Sequence, residues 1–410
     1  MSSETAVSGN GRGSALSYPL PLEDALEPPA AWAVLREEAP VAPVVLPSGD
    51  GASLVTRYDD VKQVLSEPRC TRQLDADDAA RVSANESGGV FNDSMAESLA
   101  GAGQQRWRRM LTKWFTAKRM TMLRPDIEAM TDRLVDEMVE RGHPADLKAC
   151  VGFPLPVWVI CALLGVPDSD RDRFARWSDM LLNLTRYGQE EIDAAQAQFH
   201  AYMAGHLEAK RADPGDDLLS TLITTTDSDG GRLTDAELAA TGQALLIAGH
   251  ETTANMIGKM TAMLLADRTR WERLVADPSL VRTAVEEALR FDANPGFGMP
   301  RYVKEGVEVA GAEVPRGSTL VCSMAAANRD ETAFEDAGRM RLDRSPNPHL
   351  AFGAGPHSCL GQSLARTELQ TVLDVLLRRL PTLELAVAPE ELRPVEGLVV
   401  GGLREVPVRW

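Results

Sequence analysis

One cysteine of the chain stands where its sulfur could do chemistry. Cys359 lies in the stretch HLAFGAGPHSCLGQSLAR, residues 349 to 366, between a glycine-rich turn and the start of an amphipathic helix. A thiol at a helix N-terminus faces unpaired backbone N–H groups and the positive end of the helix dipole, and both favour the thiolate. Such a sulfur is a metal ligand, or a nucleophile for which His357 is the nearest base, or else a buried structural cysteine.

A second group with chemical potential lies in AGHETT, residues 248 to 253, in the middle of a long apolar segment. Glu251 and Thr252 place an acid beside a hydroxyl, and such a pair can pass protons to a bound substrate. Ala248 and Gly249 leave space beside the pair, although Gly249 costs about 1 kcal/mol relative to alanine inside a helix. The sequence therefore predicts that the loosened backbone at this point serves the chemistry.

The element that carries this pair is defined by its own sequence. Thr234 and Glu237 form the pattern of a capping box, and the run from 234 to 267 contains no proline. At about 1.5 Å per residue this helix is about 50 Å long. Its apolar middle must cross the protein core.

Weaker patterns define the other elements. A strand pattern at 51–57 is followed by a helical pattern at 58–67, and helical patterns dominate from about 103 to 292. Residues 299 to 322 alternate and turn like a small sheet, and a last helix is predicted over about 359–379.

The composition indicates a globular protein without a polyanionic partner. The chain has 410 residues, 44% of them hydrophobic, and a net charge of −17 that repels nucleic acids and anionic membranes. Residues 1–16 lack the features of a signal peptide, and the longest apolar run, 151–167, is too short and proline-interrupted to span a membrane. We expect a disordered tail over 1–16, one domain over 17–410, and a cytoplasmic monomer that binds neither nucleic acid nor membrane.

Three motifs together resemble those of the cytochrome P-450 superfamily. FGAGPHSCLG matches the haem-binding pattern of that family at every fixed position. AGHET resembles its oxygen-binding helix motif, and Glu287 with Arg290 resembles its glutamate-x-x-arginine motif. The resemblance covers roughly residues 20 to 410 and implies a mainly α fold with small β-sheets (α+β), in one domain with a long central helix over haem.

The resemblance also assigns roles to single residues. Cys359 is the expected axial ligand of the haem iron, and Glu251 and Thr252 are the expected catalytic pair. Gln104 stands where the family usually has a histidine, and Gln105 with Arg109 is a competing register for Gln104 with Arg108. The residues expected to bind the cofactor are Gln104, Arg108, Ala248, Gly249, Arg301, Phe352, Gly353, His357, Cys359 and Gly361.

Further roles concern folding, substrate and partner. Glu287 and Arg290 are expected to fold the cysteine loop together with Arg329 or a neighbour in the loop. Gly296 and Gly298 suggest a bulky or flat substrate close to the backbone. Other substrate contacts are expected from 81–95, the helices that bracket 183–191, Leu245, the stretch 294–300 and the C-terminal turn near Val399 and Val400. A basic patch for an electron donor is expected from Arg106, Arg109 and Lys113.

The implied function is that of a haem-thiolate monooxygenase with haem b as its cofactor. It would use dioxygen and two electrons to oxidise a C–H bond of a small organic molecule such as a secondary metabolite. The chain has no GxGxxG dinucleotide unit and no ferredoxin-type cysteine cluster, so electrons from NAD(P)H would pass through a separate ferredoxin and ferredoxin reductase. The alternatives are oxidative coupling or ring formation without oxygen insertion, and a haem-binding protein that does not turn over.

Overall fold

Helices make up most of the structure, a computed structural model that describes residues 15–83, 101–183, 186–228, 230–292, 296–395, 397 and 399–410. Of the tail predicted over 1–16, residues 1–14 lie outside this range, and Leu16 pairs with Val44 in a strand. The α-helices of the described residues are α1 (Ala31–Glu38), α2 (Tyr58–Ser66), α3 (Gly101–Thr112), α4 (Ala117–Met122), α5 (Arg124–Arg141), α6 (Pro154–Leu164), α7 (Arg171–Leu182), α8 (Gln189–Ala212), α9 (Leu218–Thr224), α10 (Asp235–Leu265), α11 (Arg268–Ala276), α12 (Val281–Phe291), α13 (Met324–Asn328) and α14 (Gln362–Arg379).

Short strands form three small sheets beside the helices. The strands are β1 (Leu16–Ser17), β2 (Val41–Val45), β3 (Gly51–Val55), β4 (Cys70–Thr71), β5 (Ala145–Asp146), β6 (Met299–Val303), β7 (Val307–Val309), β8 (Ala312–Val314), β9 (Thr319–Cys322), β10 (Glu384–Leu385) and β11 (Pro407–Arg409). Their orders are β1-β2-β3-β9-β6-β4, β10-β11-β5 and β7-β8. The sheet predicted over 299–322 is present, but the β7-β8 hairpin stands apart from β6 and β9.

Helix α10 is the predicted central helix. Thr234 caps it: the Thr234 hydroxyl accepts the Glu237 N–H at 3.2 Å, and the Glu237 carboxylate accepts the Thr234 N–H at 2.7 Å. The helix ends at Leu265, two residues before the predicted end. From Leu238 to Leu265 its side chains are buried or half-buried, with the exceptions of Ala248 and Thr252. Helix α6 packs across it, so the apolar run 151–167 is a core element as expected.

The last helix, α14, packs against α4, α5, α10 and α12 and carries the cysteine loop at its N-terminus. It begins at Gln362, three residues after Cys359, whereas the sequence predicted a start at the cysteine itself. Within the described part of the chain, none of the helices has the length and apolar character needed to cross a membrane.

Glu368, on the buried side of α14, is a carboxyl group without a partner. Its side chain is 1% exposed, and neither oxygen has a hydrogen-bond partner among the described residues. Burial raises its pKa well above the usual value of a glutamate. The native protein therefore keeps a proton on Glu368 at pH values where the unfolded chain, with a pKa of about 4.3, has lost it.

We expect Glu368→Gln to stabilise the protein increasingly as the pH rises above about 4.3. A raised native pKa stabilises the fold only at low pH, and this contribution is lost between the unfolded and the native pKa. Because glutamine never ionises, the variant should gain up to about 1.4 kcal/mol relative to the parent for each pH unit in that interval. Urea unfolding of both proteins between pH 5 and pH 8 measures this, with Glu208→Gln on the exposed face of α8 as the control. Parallel pH profiles would show that Glu368 is not neutral in the fold.

Candidate active site

The loop before α14 holds Cys359 in a fixed position. The Cys359 N–H donates to the Phe352 carbonyl at 2.8 Å, and the Gly361 N–H donates to the cysteine sulfur. The loop lies directly on the end of α2: at Gly355, where φ is +69°, a Cβ atom would come within 2.7 Å of the Ser66 Cα. Only glycine permits both this φ and this approach.

The thiol of Cys359 opens onto an internal cleft. Its side chain is exposed, yet the surrounding protein desolvates the thiol and raises its pKa, against the lowering effect of the Gly361 N–H and of the nearby charges of Arg108 and Arg366. A group that is both exposed and desolvated lies in a cavity rather than on the outer surface. The free thiol is therefore neutral and accessible, while hydrogen-bonding and cationic groups for a thiolate are already in place.

One face of α10 opens in the same way. Ala248 and Thr252 are exposed although the helix around them is buried, and their spacing of four residues puts them on one side of the helix. The Thr252 hydroxyl donates to the Ala248 carbonyl at 3.0 Å. Its proton is thus committed to the helix, and the oxygen remains an acceptor toward the cleft.

The lack of a side chain at Gly249 allows helix α6 to pack closely against α10. A Cβ atom there would lie 2.9 Å from two side-chain carbons of Ile160 on α6. The space expected for dioxygen beside Gly249 is filled on this side by Ile160, and Ala248 is the small residue at the opening.

The carboxylate of Glu251 is held away from Thr252. Its Oε1 accepts a hydrogen bond from the Asn255 amide at 2.9 Å, and its Oε2 lies 3.9 Å from Nε2 of His250. The His250 ring is buried, and its Nδ1 lies 2.6 Å from the Leu246 carbonyl, in keeping with the structural role of this histidine. The structure therefore does not bring the acid and the hydroxyl together directly.

Positive side chains gather near the cysteine loop. Arg301 is 2% exposed; its Nη1 donates to the Pro300 carbonyl at 2.8 Å, and its Nε is buried without a partner among the described residues. Arg108 on α3 donates to the Ser358 hydroxyl at 3.1 Å. A buried charged donor without a partner, such as the Nε of Arg301, favours an anion beside it.

The residues of α3 distinguish between the two registers that the sequence left open. The Gln104 amide lies 3.4 Å from His357 Nδ1, so Gln104 and Arg108 both meet the cysteine loop. Gln105 and Arg109 are exposed instead. Burial, followed by the charges of three arginines, lowers the pKa of His357 to about 4; these arginines are Arg72, Arg301 and Arg108. Arg72 was not predicted.

A buried ion network supports the cysteine loop from α12. Glu287 and Arg290 form two hydrogen bonds of 2.8 Å at zero exposure. The third member is Arg344, whose Nε lies 3.0 Å from Glu287. Of the two options expected, Arg329 or a neighbour in the loop, Arg329 is excluded, because its guanidinium donates to the Phe291 carbonyl and stacks on the Phe291 ring.

The neighbouring acid, Glu286, joins both ends of the cysteine loop. It binds His349 at 3.0 Å and Arg366 of α14 at 2.7 Å. Although burial raises its pKa, these hydrogen bonds lower it to about 2. The Cζ of Arg366 lies 4.5 Å from the centre of the Phe352 ring. No pattern in the sequence indicates Glu286, since a glutamate next to a motif has no distinguishing spacing.

Two further expectations do not hold in the structure. Gly296 and Gly298 have φ of +89° and +86°, and a Cβ on Gly296 would strike the Val399 carbonyl, so these glycines accommodate protein backbone rather than a substrate. Arg106 is not free for a partner, because it pairs with Asp227 and Glu237.

Of the predicted substrate segments, residues 84–95, 184, 185, 294 and 295 lie outside the described residues.

Comparison with known proteins places the chain in a family. The family model described as cytochrome P-450 matches residues 170–392. Nocardicin C N-oxygenase of Nocardia uniformis subsp. tsuyamanensis is 41% identical over 96% of this chain and 98% of that enzyme. Mycinamicin IV hydroxylase/epoxidase of Micromonospora griseorubida is 40% identical over 92% of this chain and 94% of that enzyme. The crystal structure of the LnmA hydroxylase from the leinamycin pathway of Streptomyces atroolivaceus superposes with a TM-score of 0.87, at 40% identity over 97% of this chain and 100% of LnmA.

The chain belongs to the cytochrome P-450 family and has its fold. It is an oxidoreductase of the P-450 monooxygenase class, and its cofactor is haem b, used with dioxygen and with electrons from NAD(P)H.

The residues around the cleft fit haem. The orphaned Nε of Arg301 and the neighbouring Arg108 suit the propionates, and the accessible thiol of Cys359 suits the iron. Ala248 leaves an open face on α10.

Proposed function

We propose that this enzyme is a haem-thiolate monooxygenase that inserts oxygen into a small secondary metabolite, and that Cys359 is the residue that would bind the haem iron. The observation that carries the proposal is the combination of an accessible, loop-bound thiol with the Arg108 and Arg301 guanidinium groups near the same loop, one of which has a buried Nε without a partner among the described residues. Haem needs both a ligand for its metal and cations for its carboxylates. The substrate class follows the relatives, which are named for acting on nocardicin C and mycinamicin IV.

We assign different roles to the residues around the cleft. Haem, when bound, supplies the activation of dioxygen. Cys359, Phe352, Gly353 and Gly361 form the loop that presents the sulfur, and Arg108, Arg301, His357 and Gln104 hold the propionate edge. Ala248 leaves space on α10 where oxygen and substrate would approach, and Gly249 lets Ile160 of α6 pack against the helix.

We assign the supply of protons to Glu251 and Thr252 on α10. The Thr252 hydroxyl proton is donated to the Ala248 carbonyl, so Thr252 Oγ1 acts as an acceptor toward the cleft. It can accept a hydrogen bond from a water or from the oxygen substrate, and so hold the proton of that donor in place. Glu251, held by Asn255, must turn away from that amide or act through water to pass a proton toward Thr252.

Electrons are proposed to come from a separate ferredoxin and its reductase. Arg109 is exposed on α3 and is the proposed docking cation together with Lys113. Arg106 is removed from this patch by its ion pairs. The monomeric state and the cytoplasmic location expected from the sequence stay predictions.

The mass of the product tests the proposal. With a surrogate ferredoxin and reductase, the enzyme should consume NAD(P)H faster when nocardicin C, mycinamicin IV or another metabolite shifts its Soret band. The product of that metabolite should be heavier by one oxygen atom. A product lighter by two hydrogens would replace the proposal with oxidative coupling, and no product from any ligand that shifts the band would indicate a haem protein without turnover.

Thr252→Ala should uncouple this reaction. Substrate binding and NAD(P)H consumption do not need the hydroxyl and should continue. Without the Thr252 acceptor the proton is not held where it leads to product, so the oxygen should leave as hydrogen peroxide, and product per NAD(P)H should fall by a factor of at most about 10². Peroxide and product are quantified together. The control is Thr253→Ala, since Thr253 is buried and does not face the cleft. Full product yield in Thr252→Ala would contradict the role of Thr252.

A further inference from the structure

Arg72 is a cation next to the candidate haem site that no motif of the sequence indicates. It directly follows β4, which pairs antiparallel with β6 so that Thr71 lies opposite Tyr302. Continuing this register by one residue sets Arg72 opposite Arg301. Like charges on directly opposite residues of a sheet destabilise the sheet, and an anion bound between these two arginines would remove that repulsion.

No carboxylate of the described residues provides that anion. Neither Arg72 nor Arg301 forms an ion pair with an aspartate or glutamate in the part of the chain that the structure describes. The Arg72 side chain is exposed, yet the surrounding protein desolvates its guanidinium group. This desolvation, followed by the charges of Arg301 and Arg108, lowers the pKa of Arg72 to about 10. The positive charges of Arg72, which directly follows β4, of Arg301 on β6 and of Arg108 on α3 therefore influence one another.

The position of the three groups indicates which anion they bind. Arg108 touches the cysteine loop at Ser358, and Gln104, one turn earlier on α3, touches it at His357. Arg72 lies near the same loop, because its charge is the largest electrostatic influence on His357. The cluster therefore borders the loop that carries the iron ligand, which is where the carboxylate edge of a haem would lie.

We propose that Arg72 binds a haem propionate together with Arg301 and supplies the positive charge that the neutral Gln104 does not. This inference rests on the proposed function, since it requires haem in the cleft of Cys359. It gives the chain three guanidinium groups for two propionates, with the histidine of the usual family pattern on α3 replaced by a cation from β4. The competing anion is a carboxylate of the substrate.

Haem release from the purified holoenzyme tests this proposal without any turnover. Transfer of haem to an excess of apomyoglobin is followed by absorbance. Arg72→Gln should accelerate it about tenfold or more, as expected for the loss of a hydrogen bond between charged groups. Arg72→Lys keeps the charge but not the fork of donors, and should fall between the parent and Arg72→Gln.

The matched control is Arg69→Gln, three residues upstream. Arg69 has an exposed side chain paired with Glu67, and its loss should leave haem release unchanged. Gln104→His in the Arg72→Gln background should restore part of the haem retention, because a histidine can carry positive charge on the α3 side where glutamine is neutral. A purely structural effect of Arg72 on the fold would not respond to this second substitution.

Two results would overturn the inference. Haem release from Arg72→Gln at the parental rate would show that Arg72 does not hold a propionate. Unchanged release combined with weaker binding of carboxylate-bearing ligands, measured by the Soret shift, would assign Arg72 to the substrate instead. Failure of the proposed function is distinct, because it would appear as an altered position of the Soret band of the reduced carbon monoxide complex, which Arg72→Gln should leave in place.

Discussion

Cys359→Ala should abolish the strongly red-shifted Soret band of the reduced carbon monoxide complex and all product formation. The Cys359 sulfur is the group that the loop presents to the cleft, with the Gly361 N–H and the charges of Arg108 and Arg366 prepared to stabilise its thiolate. Alanine removes the sulfur without adding bulk, so any haem that binds would lack the thiolate ligand that gives this family its spectrum and its reactivity. Spectra and product assays on the same preparation measure both losses.

The other cysteines of the chain provide the control for this substitution. Cys150 is half-buried and lies in a π-helical turn, Lys148–Gly152, far along the chain from the loop. Cys150→Ala should keep the red-shifted band. A Cys359→Ala protein that kept the band would exclude Cys359 as the ligand and with it the proposed site.

Glu287→Ala should cost about 3–5 kcal/mol of stability. The carboxylate is fully buried and accepts hydrogen bonds from Arg290, Arg344, the Asn347 amide and the Arg341 N–H. Its removal leaves two buried guanidinium groups without their counter-charge, which is far more costly than losing an exposed pair. Urea unfolding and the yield of haem-loaded protein measure the effect.

If the Glu287→Ala protein is too unstable to be purified, two milder variants still test this prediction. Glu287→Gln retains the shape and some acceptor capacity and should be destabilised less than the alanine variant. Glu335→Ala removes an exposed acid that pairs with Arg341 and should change stability by no more than about 0.5 kcal/mol. Equal stabilities of Glu287→Ala and Glu335→Ala would show that the buried network contributes little.

The features predicted well from the sequence are those with local causes. The capping box of Thr234 and Glu237 needs only four consecutive residues, and it starts α10 where expected. The pattern at 58–67 became α2, and the apolar run near 151–167 became α6, because hydrophobic spacing acts within one helix. The cysteine motif placed Cys359, Phe352 and Gly361 correctly in one loop, since short glycine-rich loops leave few conformations.

The features that were missed arise from contacts between distant segments. Arg344 rather than Arg329 reaches Glu287, and both arginines lie in a turn-rich segment where spacing does not show direction. Arg72 meets Arg301 only because β4 pairs with β6 across more than two hundred residues. No periodic pattern in the chain encodes such a strand register. The sequence could therefore give the ligand of the iron but not the full set of cations around it.

The contact between Gly296 and the C-terminal turn limits how this enzyme can be re-engineered. The Phe297 N–H donates to the Val399 carbonyl at 3.0 Å, and the turn lies so close that a side chain at position 296 would meet Val399 and Gly401. The two segments are far apart in the chain but form one interlocked unit. A chimera that grafts the C-terminal turn of a relative onto this scaffold must therefore import the residues around Gly296 and Gly298 from the same donor.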